Sequence, residues 1–419
     1  MTTDRQAMVI KFLNEVADDY PSAISLATGR PTDRFSERLG PAAILGALSL
    51  YQQSYSKKHA NAQARLLQYG PTHGIINDLI AENLRVDETI PATSDRVLIT
   101  SGCQEALTLC ISCLCPAPDD VLLVCNPTYA GAVGAARASG VTVHSVPINA
   151  PSLAVGIAQA YETSLHRNRQ PRAIYLIPTF DNPTGRVLDE MQRRAILQVC
   201  ATLHLVILED NPYGMFRYDG DAVRTLASLD CAGSVVYLST FSKTMVPTLR
   251  VGAVTLPETL FGDRTASLAL WNSLVQRKSL LTINTSQISQ AIVGGILLDE
   301  QCTLQRWILP ALDWYRANRD TMLRQLGVHF APISNYVRWN HPAGGFFLSL
   351  ELPFPFDAYA AAECAGEEGV IVMPMCFFSS DSAYDNMIRL SFSSVEPQQI
   401  CDGIQALAHY VRKRIELAA

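Results

Sequence analysis

The sequence contains little charge and no long run of one sign. Of its 419 residues 17% are charged, and 33 basic against 39 acidic residues give a net charge of −6. A nucleic-acid-binding surface needs lysine and arginine clustered along one face to follow a phosphate backbone, and the sequence has no such cluster. We therefore expect no nucleic-acid partner.

Long hydrophobic segments are also absent. A membrane-spanning helix needs about 18 to 20 predominantly apolar residues, whereas runs such as PAAILGALSLY are shorter. The first 31 residues are interrupted by charged side chains before the apolar core of a signal peptide can form. We expect a cytoplasmic protein with no membrane segment.

The cysteines do not form a metal-binding pattern. There are eleven, spread through a large chain, which favours reduced thiols over a disulfide framework. Cys110, Cys113 and Cys115 share one apolar stretch, with no second Cys/His pair nearby to complete a tetrahedral site. We interpret them as buried apolar side chains and expect no metal.

The hydrophobic pattern predicts an α/β fold. Hydrophobic residues make up 48% of the chain, enough for a large core. From residue 95, short apolar runs such as DRVLIT, DVLLVC, AIYLIP, LVILED and SVVYLST alternate with helical segments. This alternation is typical of a mostly parallel sheet with helices on both faces. Beyond about residue 285 the pattern changes to long helices followed by an α+β unit.

We divide the chain accordingly into three parts. Residues 1–45 are expected to form an N-terminal arm that packs on the small domain. Residues 46–290 form the large domain, and residues 291–419 form the small C-terminal domain.

Polar segments follow the predicted strands, where ligands collect in an open α/β sheet. SGCQ at 101–104 opens a helix, and its N–H groups suit a phosphate, although a plain capped helix start has the same composition. Tyr129 can cover a planar ring or belong to the core. Asn182 lies in a turn, and Asp210 ends a very apolar strand, where a buried carboxylate needs a partner. An N-cap or a solvated loop is the alternative for Asp210.

The segment STFSKTMVPTLRVG at 239–252 adds a lysine and an arginine at the next strand end. A partly desolvated Lys243 is easier to deprotonate and can form a Schiff base with a carbonyl. Arg250 provides a fork for an oxyanion such as phosphate. These side chains together suit pyridoxal 5′-phosphate. This cofactor has a phosphate, a planar ring, a ring nitrogen that needs a carboxylate and an aldehyde that needs a lysine.

The chain resembles the class I/II aminotransferases of the fold type I pyridoxal-phosphate family. The resemblance rests on SGCQ, NPTY, DNPTG, DNPY, STFSKTMVPTLRVG and MIRLSFS, which occur in family order from about residue 20 to the C-terminus. It implies a large domain with a mostly parallel, seven-stranded sheet between helices and a smaller α+β domain. The segment FLNEVADDYPSAISLATGRP is similar to the branch that includes 3,5-dihydroxyphenylglycine transaminases.

The resemblance assigns roles to individual cofactor-binding residues. Lys243 would bind the cofactor as a Schiff base and shuttle the α-proton, while Asp210 would pair with the ring nitrogen. Tyr213 and Asn182 would bind the 3′-oxygen, and Tyr129 would stack on the ring. The residues implied around the phosphate are Ser101, Gly102, Cys103, Gln104, Thr240, Ser242 and Arg250.

Further residues are assigned to the substrate and to a second subunit. Arg389 would bind the substrate α-carboxylate, and Asn182 would also contact the substrate. Gly29 marks where the arm passes over the substrate, and Arg30 either binds a distal substrate group or is a solvated arm residue. Tyr69 would reach the phosphate of a neighbouring subunit, which implies a homodimer with shared active sites.

The sequence departs from the family pattern at two places. Met375 and Cys376 stand where glycine is common, which predicts a bulkier side chain beside the pocket. The acidic residue common before PTY is replaced by Cys125 and Asn126.

Three functions are compatible with these residues. The first is transfer of an amino group from an α-amino acid to a 2-oxo acid through Lys243 with ping-pong kinetics. The second is β- or γ-elimination, replacement or carbon–carbon bond formation on the same scaffold, which the cofactor motifs do not separate from the first. The third is a regulator with an aminotransferase-like domain, which is disfavoured because only about twenty non-basic residues precede the family match.

Overall fold

A computed structural model describes residues 18–57, 66–147 and 149–418, together with Phe12, Val16 and Asn61. Much of the first part of the predicted N-terminal arm lies outside the described residues. The strands are β1 (Ile24–Ser25), β2 (Val97–Thr100), β3 (Asp120–Val124), β4 (Thr142–Ser145), β5 (Gln170–Leu176), β6 (Val206–Asp210), β7 (Val235–Thr240), β8 (Gly252–Thr255), β9 (Arg338–Trp339), β10 (Phe347–Glu351), β11 (Val370–Ile371), β12 (Met373–Pro374) and β13 (Met387–Ser391).

The helices follow the predicted alternation with the strands. They are α1 (Pro41–Ser56), α2 (Asn77–Glu88), α3 (Cys103–Leu114), α4 (Ala130–Ala138), α5 (Leu153–His166), α6 (Glu190–Leu203), α7 (Leu226–Leu229), α8 (Arg264–Leu281), α9 (Gln287–Asp299), α10 (Gln305–His329), α11 (Ala358–Glu368) and α12 (Pro397–Ala418). Their ends carry recognisable signals. At the start of α6, for example, Asp189 and Gln192 form a reciprocal capping box.

Seven strands form the central sheet, in the order β2-β8-β7-β6-β5-β3-β4. All neighbouring pairs are parallel except those of β8, which runs antiparallel to β2 and β7. Strands β2, β3 and β6 are buried along their whole length, as expected for a sheet with helices on both faces. The predicted fold class is confirmed. The parallel strands β2, β3, β5, β6 and β7 therefore end at one edge, where the polar segments follow.

A second, antiparallel sheet has the order β12-β13-β10-β9 and contributes Arg389 from β13, opposite Ser349 of β10. Near the N-terminus, β1 pairs with β11, and the N–H of Ser391 donates to the carbonyl of Leu26. Residues 24–26 thus lie against the C-terminal part of the chain. The domain limits remain a prediction, and the one at residue 290 falls within α9.

None of the helices in the described part of the chain combines the length and the apolar character that a membrane span requires.

Candidate active site

A cavity of about 740 Å³ lies where the central sheet edge faces β10 and β13. Segments that follow five strands of the central sheet, β2, β3, β5, β6 and β7, supply side chains to it, while Phe347 and Arg389 come from the second sheet. Among the predicted site residues, the cavity is lined by Gly29, Cys103, Gln104, Tyr129, Asn182, Asp210, Tyr213, Thr240, Ser242, Lys243, Arg250 and Arg389. Folding thus gathers residues separated by up to 360 positions in the sequence.

Asp210 is buried at the end of β6 and holds two hydrogen bonds. The hydroxyl of Tyr175 donates to Oδ2 at 2.8 Å, and the thiol of Cys103 donates to Oδ1 at 3.4 Å. Burial raises the pKa of Asp210 to about 6, and these two hydrogen bonds and the charge of Lys243 oppose that rise. The carboxylate is therefore ionised at neutral pH and faces a cavity that a cationic ring nitrogen can enter.

Lys243 follows β7, and its ammonium group donates to the carbonyl of Gly29 at 3.0 Å. Burial, followed by the positive charge of Arg389, lowers the pKa of Lys243 to about 8. At neutral pH a useful fraction of the amine is therefore unprotonated, which a nucleophile or general base requires.

Arg250 closes one end of the cavity. Its guanidinium donates to Oγ of Ser242 at 3.1 Å and to the carbonyl of Ser101 at 3.3 Å. Gly102 has φ +80°, and a Cβ on it would lie 2.1 Å from Nη2 of Arg250. Only glycine allows this approach.

The backbone N–H groups of the SGCQ turn are paired in its first half and without a helical partner in its second half. The N–H of Ser101 donates to Glu105 at 2.5 Å, and that of Gly102 donates to the carbonyl of Thr100 at 2.8 Å. Both groups are thus already paired, and neither residue lines the cavity. Helix α3 begins at Cys103, so the N–H groups of Cys103 and Gln104 have no helical partner and suit an anion.

Aromatic and amide side chains line the middle of the cavity. A Cβ on Gly131 would lie 2.4 Å from the ring of Tyr129, so the glycine leaves room for that ring. Burial raises the pKa of Tyr129 to about 12 and that of Tyr213 well above its usual value, so both hydroxyls remain protonated. Tyr213 packs edge-on against Phe347, with ring centroids 5.7 Å apart.

Arg389 is a buried cation in contact with two aromatic rings. Its charged carbon lies 4.2 Å from the ring centroid of Phe347 and 4.9 Å from that of Phe378. Nη1 donates to Asn182 Oδ1 at 2.7 Å and Nη2 to the carbonyl of Ala27 at 2.6 Å, while Nε is buried without a partner among the described residues. Burial lowers the pKa of Arg389 to about 10, and the side chain remains charged at neutral pH. Because Arg389 lines the cavity, a carboxylate that enters it can pair with this positive charge.

Arg30 and Tyr69, like Ser101 and Gly102, do not line the main cavity. Arg30 is exposed and pairs with Asp33 at 3.1 Å. It lines a neighbouring cavity of about 300 Å³ that also touches Lys243. Tyr69 is 81% exposed and contributes nothing to the cavity of its own chain.

The departure at Met375 and Cys376 does not change the cavity wall. Both side chains are buried in the turn Met375–Phe378, and neither lines the cavity. Phe378, three residues later, provides the wall instead. Its carbonyl accepts the N–H of Thr128 at 3.0 Å, which ties this turn to the end of β3.

Sequence reasoning missed Tyr175, the hydroxyl donor to Asp210. Its signal was one hydroxyl-bearing side chain within the apolar strand AIYLIP, and such a tyrosine usually has a hydrogen-bond partner when buried. It also missed Phe347 and Phe378, because both appear in the sequence as ordinary core residues.

Comparison with known proteins identifies the family. A model of class I and II aminotransferases matches residues 23–407. The chain belongs to the class I and II aminotransferase family. The family's cofactor is pyridoxal phosphate, and this aminotransferase acts on amino acids.

Individual relatives are similar over nearly the whole chain. The (S)-3,5-dihydroxyphenylglycine transaminase of Amycolatopsis orientalis is 35% identical, over 99% of this chain and 93% of its own. The aromatic-amino-acid aminotransferase 1 of Thermococcus litoralis is 30% identical, over 94% of this chain and 89% of its own. A crystal structure of a Pyrococcus horikoshii kynurenine aminotransferase superposes with a TM-score of 0.82 at 26% identity, covering 97% of this chain and 94% of that chain. These names favour transamination over elimination or bond formation.

The donor set of this aminotransferase fits pyridoxal phosphate. The cavity presents a carboxylate, a lysine amine with a lowered pKa, two tyrosines and, at its far end, hydroxyls with Arg250 and free helix N–H groups. Among the described residues no group of three or more His, Cys, Asp or Glu side chains is arranged to hold a metal ion.

Proposed function

We propose that this aminotransferase uses Lys243 as its catalytic lysine, Asp210 as the partner of the ring nitrogen and Arg389 as the fork for the substrate α-carboxylate. The observation that supports this most is that one cavity is lined by a lysine with a lowered pKa, a buried carboxylate and a buried guanidinium with an unpaired Nε. Pyridoxal phosphate, when bound, supplies an aldehyde for the substrate amine and a ring that accepts electron density from Cα.

Lys243 would hold and move the α-proton at Nζ. Burial and the guanidinium of Arg389 lower the pKa of this amine, while the carboxylate of Asp210 raises it. Because the net result is a pKa of about 8, the amine can both accept and return a proton near neutral pH.

Asp210 would keep a proton on the ring nitrogen. Its two hydrogen bonds fix the carboxylate and favour its ionised form. Tyr213 and Asn182 would donate to the 3′-oxygen, and Tyr129 would cover the ring face. Cys103, Gln104, Thr240, Ser242 and Arg250 would bind the phosphate, while Ser101 and Gly102 would shape the turn behind it.

Arg389 would orient the substrate. A planar guanidinium matches a carboxylate in two parallel hydrogen bonds, which lysine cannot reproduce. Phe347 and Phe378 hold its plane, and Asn182 and Ala27 take up one N–H on each terminal nitrogen. The same site would bind the carboxylate of the 2-oxo acid acceptor.

The substrate side chain would be aromatic. Phe347, Phe378, Leu107 and Ile177 give the cavity apolar walls that suit a planar ring. The names of the relatives from Amycolatopsis orientalis and Thermococcus litoralis support the same class. Arg30, which is paired with Asp33, would remain an arm residue rather than bind a distal substrate group.

The active unit would be a homodimer with shared active sites. Tyr69 is exposed, as are Leu67, Leu280 and Leu281, so apolar side chains are available for a second copy of the chain. Tyr69 would cross that interface to the partner's cofactor phosphate. All eleven cysteines are free, which is consistent with a reducing, cytoplasmic location.

Chemical trapping tests the assignment of Lys243. Holoenzyme would be reduced with borohydride, digested and analysed by peptide mass spectrometry. We expect a phosphopyridoxyl group on the peptide that contains Lys243 and none in Lys243→Ala. A modification at a different lysine would contradict the proposal. A screen of amino donors with aromatic, aliphatic and acidic side chains then tests the substrate class.

A further inference from the structure

Lys278 of helix α8 is a fully buried lysine that belongs to none of the cofactor motifs. Its side-chain exposure is 0%, and its ammonium group lies 2.8 Å from Oε2 of Glu105 and 3.0 Å from Oγ1 of Thr282. Burying an ammonium group is costly unless it is paired. Glu105 is therefore the reason Lys278 can occupy this position.

Glu105 connects this lysine to the turn at the start of α3. The same Oε2 atom accepts the N–H of Ser101 at 2.5 Å, and Oε1 accepts the hydroxyl of Thr282 at 2.6 Å. Ser101 in turn accepts a hydrogen bond from Arg250 through its carbonyl. A continuous set of polar contacts thus runs from Lys278 to the arginine that closes the cavity.

The position of Glu105 raises an electrostatic problem. It lies in the first turn of α3, whose N–H groups would bind the cofactor phosphate. An unbalanced carboxylate beside a phosphate dianion would repel it, since the low-dielectric interior screens charges poorly. The ammonium group of Lys278 removes this repulsion and leaves Glu105 free to hold the Ser101 turn.

We propose that Lys278 is a positioning residue for the phosphate of the cofactor, acting through Glu105. This inference rests on the proposed placement of the phosphate at the N-terminus of α3. A purely structural ion pair, which would only hold α8 against α3, is the alternative. In the positioning role, replacing Lys278 weakens only the binding of ligands that carry a phosphate. In the structural role, the loss of affinity does not depend on the phosphate.

The test compares ligands with and without a phosphate. Dissociation constants of pyridoxal 5′-phosphate and of pyridoxal would be measured on apoenzyme by quenching of tryptophan fluorescence. In Lys278→Met we expect binding of pyridoxal phosphate to weaken by about tenfold or more, close to 1.4 kcal/mol. Pyridoxal binding should stay within about threefold of wild type. The double variant Lys278→Met/Glu105→Gln should recover pyridoxal phosphate binding to within about threefold.

Other outcomes decide against the inference. Equal weakening of both ligands in Lys278→Met, or no weakening, would overturn it. A wild-type enzyme that binds both ligands equally would instead overturn the proposed phosphate placement, and the inference with it. If Lys278→Met does not fold, Glu105→Gln is compared with the double variant instead. Glu105→Gln keeps the positive charge of Lys278 without its carboxylate partner, so it should bind pyridoxal phosphate about threefold tighter than the double variant. Equal affinities there would also overturn the inference.

Discussion

The hydroxyl of Tyr175 donates a hydrogen bond to Oδ2 of Asp210 at 2.8 Å between two adjacent strands. Tyr175 of β5 is paired in register with Leu208 of β6. Asp210 lies two residues beyond Leu208, so its side chain is on the same face of the sheet as Tyr175. The sheet register itself places the donor beside the carboxylate.

Tyr175→Phe should shift the pH dependence of cofactor binding. The hydrogen bond favours the ionised form of Asp210, so its loss raises the pKa of Asp210 above about 6. The probe is 4-deoxypyridoxine 5′-phosphate, which lacks the aldehyde and does not react with Lys243. As the pH is lowered and Asp210 becomes protonated, the affinity of apoenzyme for this analogue should fall. In Tyr175→Phe the midpoint of this fall should lie about one pH unit higher than in wild type. Titrations between pH 5 and pH 8 measure this.

Tyr410→Phe is the matched control for that experiment. Tyr410 is also buried, and its hydroxyl donates to a carboxylate, that of Glu363, at 2.6 Å. Glu363 does not line the cavity. We expect this variant to bind the analogue with the wild-type pH profile, and an equal shift in both variants would contradict a specific role for Tyr175.

Site residues that directly follow a strand could be predicted from the sequence. Contacts that depend on which strands lie side by side could not. Asp210 and Lys243 could be assigned because parallel strands end at one edge, so residues after successive strands converge. The role of Tyr175 could not be predicted, because its contact with Asp210 depends on β6 lying beside β5. Met375 is buried in its turn while Phe378 lines the cavity, because the turn geometry that selects between them has no clear pattern in MPMCFF.

Arg389→Lys should impair substrate binding more than the chemical step. The substitution keeps a positive charge but loses the planar fork and the contact of the guanidinium with the rings of Phe347 and Phe378. We expect kcat/KM to fall by about a hundredfold, mostly through KM, for both the amino donor and the oxo acid. Arg30→Lys, in an exposed ion pair, is the control and should remain within about threefold. A hundredfold loss confined to kcat would contradict the assignment.

Glu88→Gln should stabilise the protein at alkaline pH. Burial, followed by the charges of Glu209 and Asp87, raises the pKa of Glu88 to about 8. A raised pKa in the folded state favours folding below the unfolded value of 4.5, and this contribution is lost as the pH rises through about 8. At pH 9 the variant should therefore be more stable by on the order of 1 kcal/mol, and at pH 5 it should be no more stable than wild type. Urea unfolding at the two pH values measures this.

A glutamate on the same helix provides the control. Glu82 of α2 has a side chain that is 43% exposed and pairs with Arg85. Glu82→Gln should change the free energy of unfolding by less than about 0.5 kcal/mol at both pH values. A gain from Glu88→Gln that is the same at pH 5 and pH 9 would show that ionisation of Glu88 is not its cause.

A hybrid dimer tests whether Tyr69 acts across the subunit interface. Lys243→Ala inactivates one chain, and Tyr69→Phe removes the hydroxyl that would reach the partner's phosphate. If sites are shared, a hybrid of these two chains has one cavity with both residues intact, and about half of wild-type activity should appear with wild-type affinity for pyridoxal phosphate. If Tyr69 serves only its own chain, the active cavity of the hybrid belongs to the Tyr69→Phe chain and keeps the weaker affinity of that homodimer. Co-expression with two different affinity tags isolates the hybrid, and a cofactor titration of its activity separates the two cases.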